Sequence, residues 1–181
     1  MTNPIEAWHV EHAYFERLLA LLHKQVDAFH SGSEPSYELM LDIINYLRNY
    51  SDAVHHPRED VAFARLARHC PDISLVLARL AQEHRVIVHA GEMLRNHLIA
   101  ALAGSIVPRQ AIEAAAATYL VYYRRHIRRE EKEVLPRAAQ ALTPEDWEAV
   151  RKAVPDCHDP IANERSAEHY RHLRRQIALE S

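Results

Sequence analysis

HHPRED at residues 55–60 and HIRREE at residues 126–131 share one pattern, His-x-x-Arg-Glu-acid. Each places a glutamate four residues after a histidine, pairing His55 with Glu59 and His126 with Glu130. On a helix that offset leaves two side chains about 40° apart and about 6 Å along the axis. One metal ion, or a metal pair, can then receive both. Pro57 removes a backbone donor and crowds the preceding turn. It reads equally as a simple kink and as a device that aims His55 and Glu59.

The repetition extends upstream. His12 precedes His55 by 43 residues and His84 precedes His126 by 42. Breaks rich in Gly, Pro and small polar residues fall at SGSEPS (31–36), CPD (70–72), GSIVP (104–108), LTPED (142–146) and PDCHDP (155–160). Between them lie four segments of helical periodicity, roughly residues 4–30, 36–69, 72–103 and 108–140. His12 and His55 are nearly equidistant from the first break, and His84 and His126 from the break near residue 105. Antiparallel helices with short connections therefore bring all four histidines to one level. A single His-x3-Glu is weak evidence, but the doubled pattern on matched arms is strong. The expected fold is all-α, an up-down-up-down antiparallel four-helix bundle over residues 1–140. Residues 141–181 form a C-terminal helical extension packed on the bundle or on a partner. It begins at TPEDW, with Thr143 as N-cap and Pro144 at the first helical position, and a sixth helix is expected over 161–180.

Helical faces test the inward reading. His84 shares a stripe with Leu77, Leu80 and Leu98, His12 with Ile5, Trp8, Phe15 and Leu19, and His126 with Ile112 and Tyr119. On the second helix, His55 inward aligns with Ile44, Ala62 and Leu66, whereas His56 inward aligns with Asn45, Asn49 and Asp52. His55 is the better choice, which leaves His56 and Asp60 as supporting groups or in solvent. Glu16, four residues after His12, reads as a supporting acid rather than a ligand. Tyr119 reads as core. Tyr122 and Tyr123 are candidates to donate a hydrogen bond to a bound oxygen. His23 lies too far along the first helix to reach the same centre, and the remaining histidines read as surface.

Composition narrows the function. The chain has 181 residues, a formal charge of −3 with both signs interspersed, only 3 glycines, and 14 histidines, an excess that needs a reason. Nothing suggests a nucleic-acid footprint, a membrane span or a signal peptide. Cys70 and Cys157 form no close pair, which is simplest in a reducing, cytoplasmic setting. Four histidines and two glutamates converging in a core require pairing or metal. Mixed imidazole and carboxylate donors suit Fe, Mn or Zn, and the lack of thiolates disfavours iron–sulfur clusters.

With EHAYFERLL (11–19), HHPRED, the Glu83-His84 pair and HIRREEKEVLP (126–136), residues 5–140 resemble a hemerythrin-like HHE cation-binding domain. The resemblance implies a four-helix bundle holding two iron ions with an oxo or hydroxo bridge. His12, His55, His84 and His126 would then be terminal ligands, and Glu59 and Glu130 bridging carboxylates. Oxygen carriers of the family place another histidine four residues after the third-helix ligand; here that residue is Val88, and His89 is a poor substitute. The pattern resembles the four-His, two-Glu version of iron–sulfur repair and nitric-oxide-related members, which favours redox or NO chemistry over reversible oxygen carriage. The expected ligand is a diatomic or a peroxide, in a di-iron oxidoreductase, sensor, scavenger or iron donor. The alternative is a non-catalytic, metal-dependent regulatory or interaction module, dimeric or docked to a protein through its C-terminal helices.

Overall fold

The computed structural model describes residues 4–154 together with 173, 175, 176 and 178. The first bundle helix is α1 (Pro4–Ser31). The second is built from α2 (Tyr37–Tyr46), a π segment π1 (Leu47–His55) and α3 (His56–His69), and a short 3₁₀ turn (Pro71–Ile73) follows it. The third is α4 (Ser74–Leu102). The fourth is built from α5 (Arg109–Arg129), a second π segment π2 (Glu130–Val134) and α6 (Leu135–Ala141). A short α7 (Pro144–Ala153) packs on α3. The expected all-α bundle with extra helical structure is what forms, and no strand occurs among the described residues.

The chain reversals follow from local chemistry. Gly32 and Gly104 carry φ of 78° and 82°, a conformation that costs glycine little. After α4, Ser105 N–H bonds Ala100 C=O at 2.9 Å and Gly104 N–H bonds Ala101 C=O at 3.0 Å. This pair of bonds is a Schellman stop. Ser36 starts α2 by accepting the Leu39 N–H at 3.1 Å. Thr143 and Asp146 form a reciprocal capping box at the head of α7, as the TPEDW reading expects.

Both π segments precede a proline. His56 N–H bonds Ser51 C=O and Leu135 N–H bonds Glu130 C=O, each one residue longer than the α pattern. Pro57 and Pro136 come next in sequence. A proline ring clashes with the carbonyl four residues back and offers that carbonyl no donor. The widened turns absorb that misfit without ending the helix, as single-turn π bulges do at functional sites.

The bundle interior has three layers. One apolar cluster includes Phe15, Ile44, Tyr50, Ile87, Leu94, Tyr119, Tyr123 and Ile127. The other includes Trp8, Phe63, Leu66, Leu80, Val134 and Leu135. Between them, at one level, lie the buried polar side chains of His12, His55, His56, Glu59, His84, His126 and Glu130. Helices α4 and α5 approach closely above this layer because Gly91 has no side chain. A Cβ there would meet Tyr119 Cε2 at 2.9 Å. The sixth helix expected over 161–180 lies outside the described residues, except that Leu173 is helical and buried in the first cluster.

Candidate metal centre

Two histidine pairs face each other across the polar layer. His12 Nε2 lies 3.0 Å from His55 Nε2, and His84 Nε2 lies 3.0 Å from His126 Nε2. Neutral imidazole nitrogens at that separation share a proton or converge on a cation.

The two glutamates connect the pairs. Glu59 Oε1 is 2.9 Å from His55 Nε2 and 3.4 Å from His12 Nε2, while its Oε2 is 3.4 Å from His84 Nε2. Glu130 is its mirror: Oε1 is 3.2 Å from His126 Nε2 and 3.9 Å from His84 Nε2, and Oε2 is 3.5 Å from His12 Nε2. Each carboxylate thus offers one oxygen to each histidine pair. Glu59 and Glu130 are completely buried, and none of their four oxygens has a hydrogen-bond partner of ordinary geometry. Buried ionised carboxylates left in this state are costly. A pair of divalent cations between the histidine pairs would remove that cost, so the donor set fits the group.

The outward ring nitrogens explain how the rings are held. His12 Nδ1 lies 2.8 Å from Glu131 Oε1, His84 Nδ1 lies 2.9 Å from Asp60 Oδ1, and His126 Nδ1 lies 3.5 Å from Glu83 Oε2. His55 Nδ1 pairs with Glu11 Oε2. Every ring therefore has a carboxylate behind it, which fixes an Nδ1–H tautomer and leaves Nε2 for a metal. The pattern repeats with two-fold symmetry. The acid before the helix-one histidine supports the helix-two histidine, and the acid before the helix-three histidine supports the helix-four one. The acids after the two buried glutamates support the opposite pair. A further layer holds those acids: Tyr50 donates to Glu11 at 2.8 Å, Arg129 donates to Glu83 at 2.7 Å, and His9 pairs with Glu131 at 2.6 Å.

Charge follows geometry in the metal-free protein. Burial opposes protonation of His12. Its bond to Glu131 and the nearby Glu59 and Glu130 prevail and raise its pKa to about 10. His126 is raised to about 10 and His55 to about 9, burial again being outweighed, chiefly by Glu130 and by Glu59 respectively. Burial likewise opposes the charge on Glu59, yet the surrounding imidazoles, His55 first, hold it well below the usual carboxylate range.

The six residues expected as ligands come together in this layer. Of the supporting candidates, Tyr123 is buried against it and bonds the Ser51 hydroxyl, whereas Tyr122 points to the surface. Glu16 is half-exposed and faces Arg124 at 3.6 Å, so it stands away from the centre. Tyr119 is core, as expected. Asp60 is a supporting group. The solvent alternative for His56 is excluded: it is buried and its ring stacks on His84 at 4.2 Å between centroids. Both adjacent histidines face inward because π1 widens the turn that carries them. A strict α register, which spaces neighbours by about 100°, forces a choice between them. Sequence reasoning left Glu11, Glu83 and Glu131 without a role. Their signal was an acid beside each histidine or glutamate of the repeated pattern.

A bundle whose core holds two histidine pairs joined by two glutamates is a carboxylate-bridged metal-binding bundle. The family model described as the Hemerythrin HHE cation binding domain matches residues 3–138. The chain belongs to that family, and its domain is a cation-binding one. No curated protein and no solved structure matches it.

Proposed function

We propose that this domain holds two iron ions and uses them to bind or process O2, NO or a peroxide. The observation that carries the reading is the span of Glu59 and Glu130, each placing one oxygen at either histidine pair. In this reading His12 and His55 serve one ion, His84 and His126 the other, and both glutamates serve both. The ions supply Lewis acidity and one-electron redox capacity. The protein's own contribution is positional. Glu11, Asp60, Glu83 and Glu131 hold the imidazoles in one tautomer and offset the charge of the ions. Phe15 packs edge-on against His55 at 5.1 Å and Phe63 stacks on His84 at 5.9 Å, limiting water on both sides of the layer. Imidazole and carboxylate donors also accept Mn or Zn, so iron is tested by loading each metal in turn. Iron-loaded, reduced protein should change its absorption on meeting one of the three ligands. An unchanged spectrum with all three would reject small-ligand chemistry.

A second reading, a metal-dependent module without turnover, is favoured by one contact path. His55 meets Trp8 edge-on at 6.0 Å, Trp8 meets Trp147 of α7 at 5.5 Å, and Asp146 ties α7 to Arg65 and His69 of α3 at 2.8 Å each. Metal at His55 would thereby steady the docking of α7. Proteolysis of the C-terminal region that slows on metal loading, with no turnover of any ligand, would favour this reading. A rate that ignores metal would reject it. Among the described residues no helix is long and apolar enough to cross a membrane, consistent with the cytoplasmic setting we propose.

A further inference from the structure

The two halves of the centre are alike except at one position. The residue after His55 is His56, whereas the residue after His126 is Ile127. One ring nitrogen of His56, one each from His84 and His126, and one oxygen of Glu59 all lie within 4.8 Å of one another. The His56 ring lies 4.2 Å from His84 and 5.5 Å from His126 but 5.9 Å from His55, so it belongs with the second pair. Its Nδ1 faces Asp52 Oδ1 at 3.3 Å, as the four other Nδ1 atoms face carboxylates, and its Nε2 lies 3.3 Å from Ser51 Oγ. His56 Nδ1 and both Asp52 oxygens are buried without a hydrogen bond of ordinary geometry. A ring buried only for packing would not carry this polar surround.

We propose that His56 is a fifth imidazole ligand, given to the metal beside His84 and His126 alone. This inference rests on the two-metal reading above. Its Nε2 exchanges the Ser51 hydroxyl for the metal, while Asp52 supports the ring from behind. One metal then receives three imidazoles and two carboxylate oxygens, and the other two imidazoles and two carboxylate oxygens. The unequal donor count makes the two ions chemically distinct. An exogenous ligand is directed to the metal beside His12 and His55, where one more position is unfilled. His56 also supplies from the second helix the imidazole that Val88 does not supply from the third.

The test uses the full chain loaded with cobalt(II) alone, under anaerobic conditions. Loss of an outer partner of a ligand typically lowers metal affinity about 10- to 100-fold, so loss of a ligand should cost about 100-fold or more. In His56→Ala one cobalt should bind as in the wild type and the other about 100-fold or more weakly. The visible spectrum should shift and return on adding free imidazole. Two cobalt ions bound with unchanged affinity and spectrum would overturn the assignment, as would equal weakening of both without rescue by imidazole. Should that variant fail to fold, proton NMR of the cobalt-loaded wild type decides. Five hyperfine-shifted, exchangeable imidazole N–H resonances are expected, and four would overturn the role of His56 alone. Fewer than two cobalt ions in the wild type would overturn the two-metal reading with it.

Discussion

Replacing Glu59 by glutamine probes the bridge at constant shape. Glu59 is completely buried, with Oε1 toward His12 and His55 and Oε2 toward His84. Glutamine keeps the volume but presents one carbonyl oxygen and one NH2 group, which cannot ligate. One of the two metals must lose its donor, and both lose half of a shared negative charge. Taking about 100-fold in affinity for that metal, about 2.7 kcal/mol of metal-linked stability disappears. For a chain of this size the loss corresponds to a Tm lower by about 5–11 °C. The assay is thermal unfolding of wild type and Glu59→Gln, each with saturating metal and with chelator. The shift should be much larger in the loaded proteins. Equal shifts with and without metal would refute the reasoning, because the glutamate would then serve only the fold.

Three other predictions address separate parts of the account. Gly91→Ala forces a Cβ to 2.9 Å from the buried Tyr119 ring; overpacking of about 1–3 kcal/mol, less about 1 kcal/mol of helix propensity, should leave a net loss of about 1–2 kcal/mol in denaturant unfolding, and a stabilised variant would contradict the close approach. Asp146→Asn removes the acid that caps α7 and bonds Arg65 and His69, so α7 should fray at a cost of about 1–2 kcal/mol, read by circular dichroism and urea unfolding. The Arg65 contact, with Thr143 and His69, holds the Asp146 carboxyl far below its usual range. Its contribution is therefore complete above about pH 4 and fades as pH falls through the folded pKa, whereas acid stability equal to that of the Asn variant would contradict it. Finally, His12, His55 and His126 have folded pKa values of about 10, 9 and 10 in the metal-free protein. Their stabilisation is complete below the unfolded value of about 6.5 and fades as pH rises through 9 to 10. Metal must displace these protons, so calorimetry in buffers of different ionisation enthalpy at pH 7 should show proton release, and a buffer-independent heat would contradict the charge state.

The fold was legible because its signals were periodic and repeated. Matched arms between breaks placed His12, His55, His84 and His126 at one level, and the structure joins them there within hydrogen-bond distance in pairs. The orientation of His56 was not legible, because it depends on π1 and the α period assigns adjacent residues to different faces. The proline at 57 was visible, but whether a helix answers a proline by kinking or by widening depends on the neighbouring helices it must still pack against. The supporting acids were hidden differently. Glu11 contacts a histidine 44 positions away and Glu131 one 119 positions away. Adjacency in sequence marked these acids, but only the crossing of helices chooses their partners. Tyr122 and Tyr123 show the same limit, since one residue of rotation separates a buried hydroxyl from a surface one.

The central claim is that Glu59 and Glu130 join two metal ions in one centre. Iron per chain measured together with the magnetism of the oxidised protein tests it most directly. The account predicts two irons per chain, strongly coupled through their shared ligands and silent in the ordinary paramagnetic resonance spectrum. A single iron per chain, or two that respond as independent high-spin ions, would contradict it.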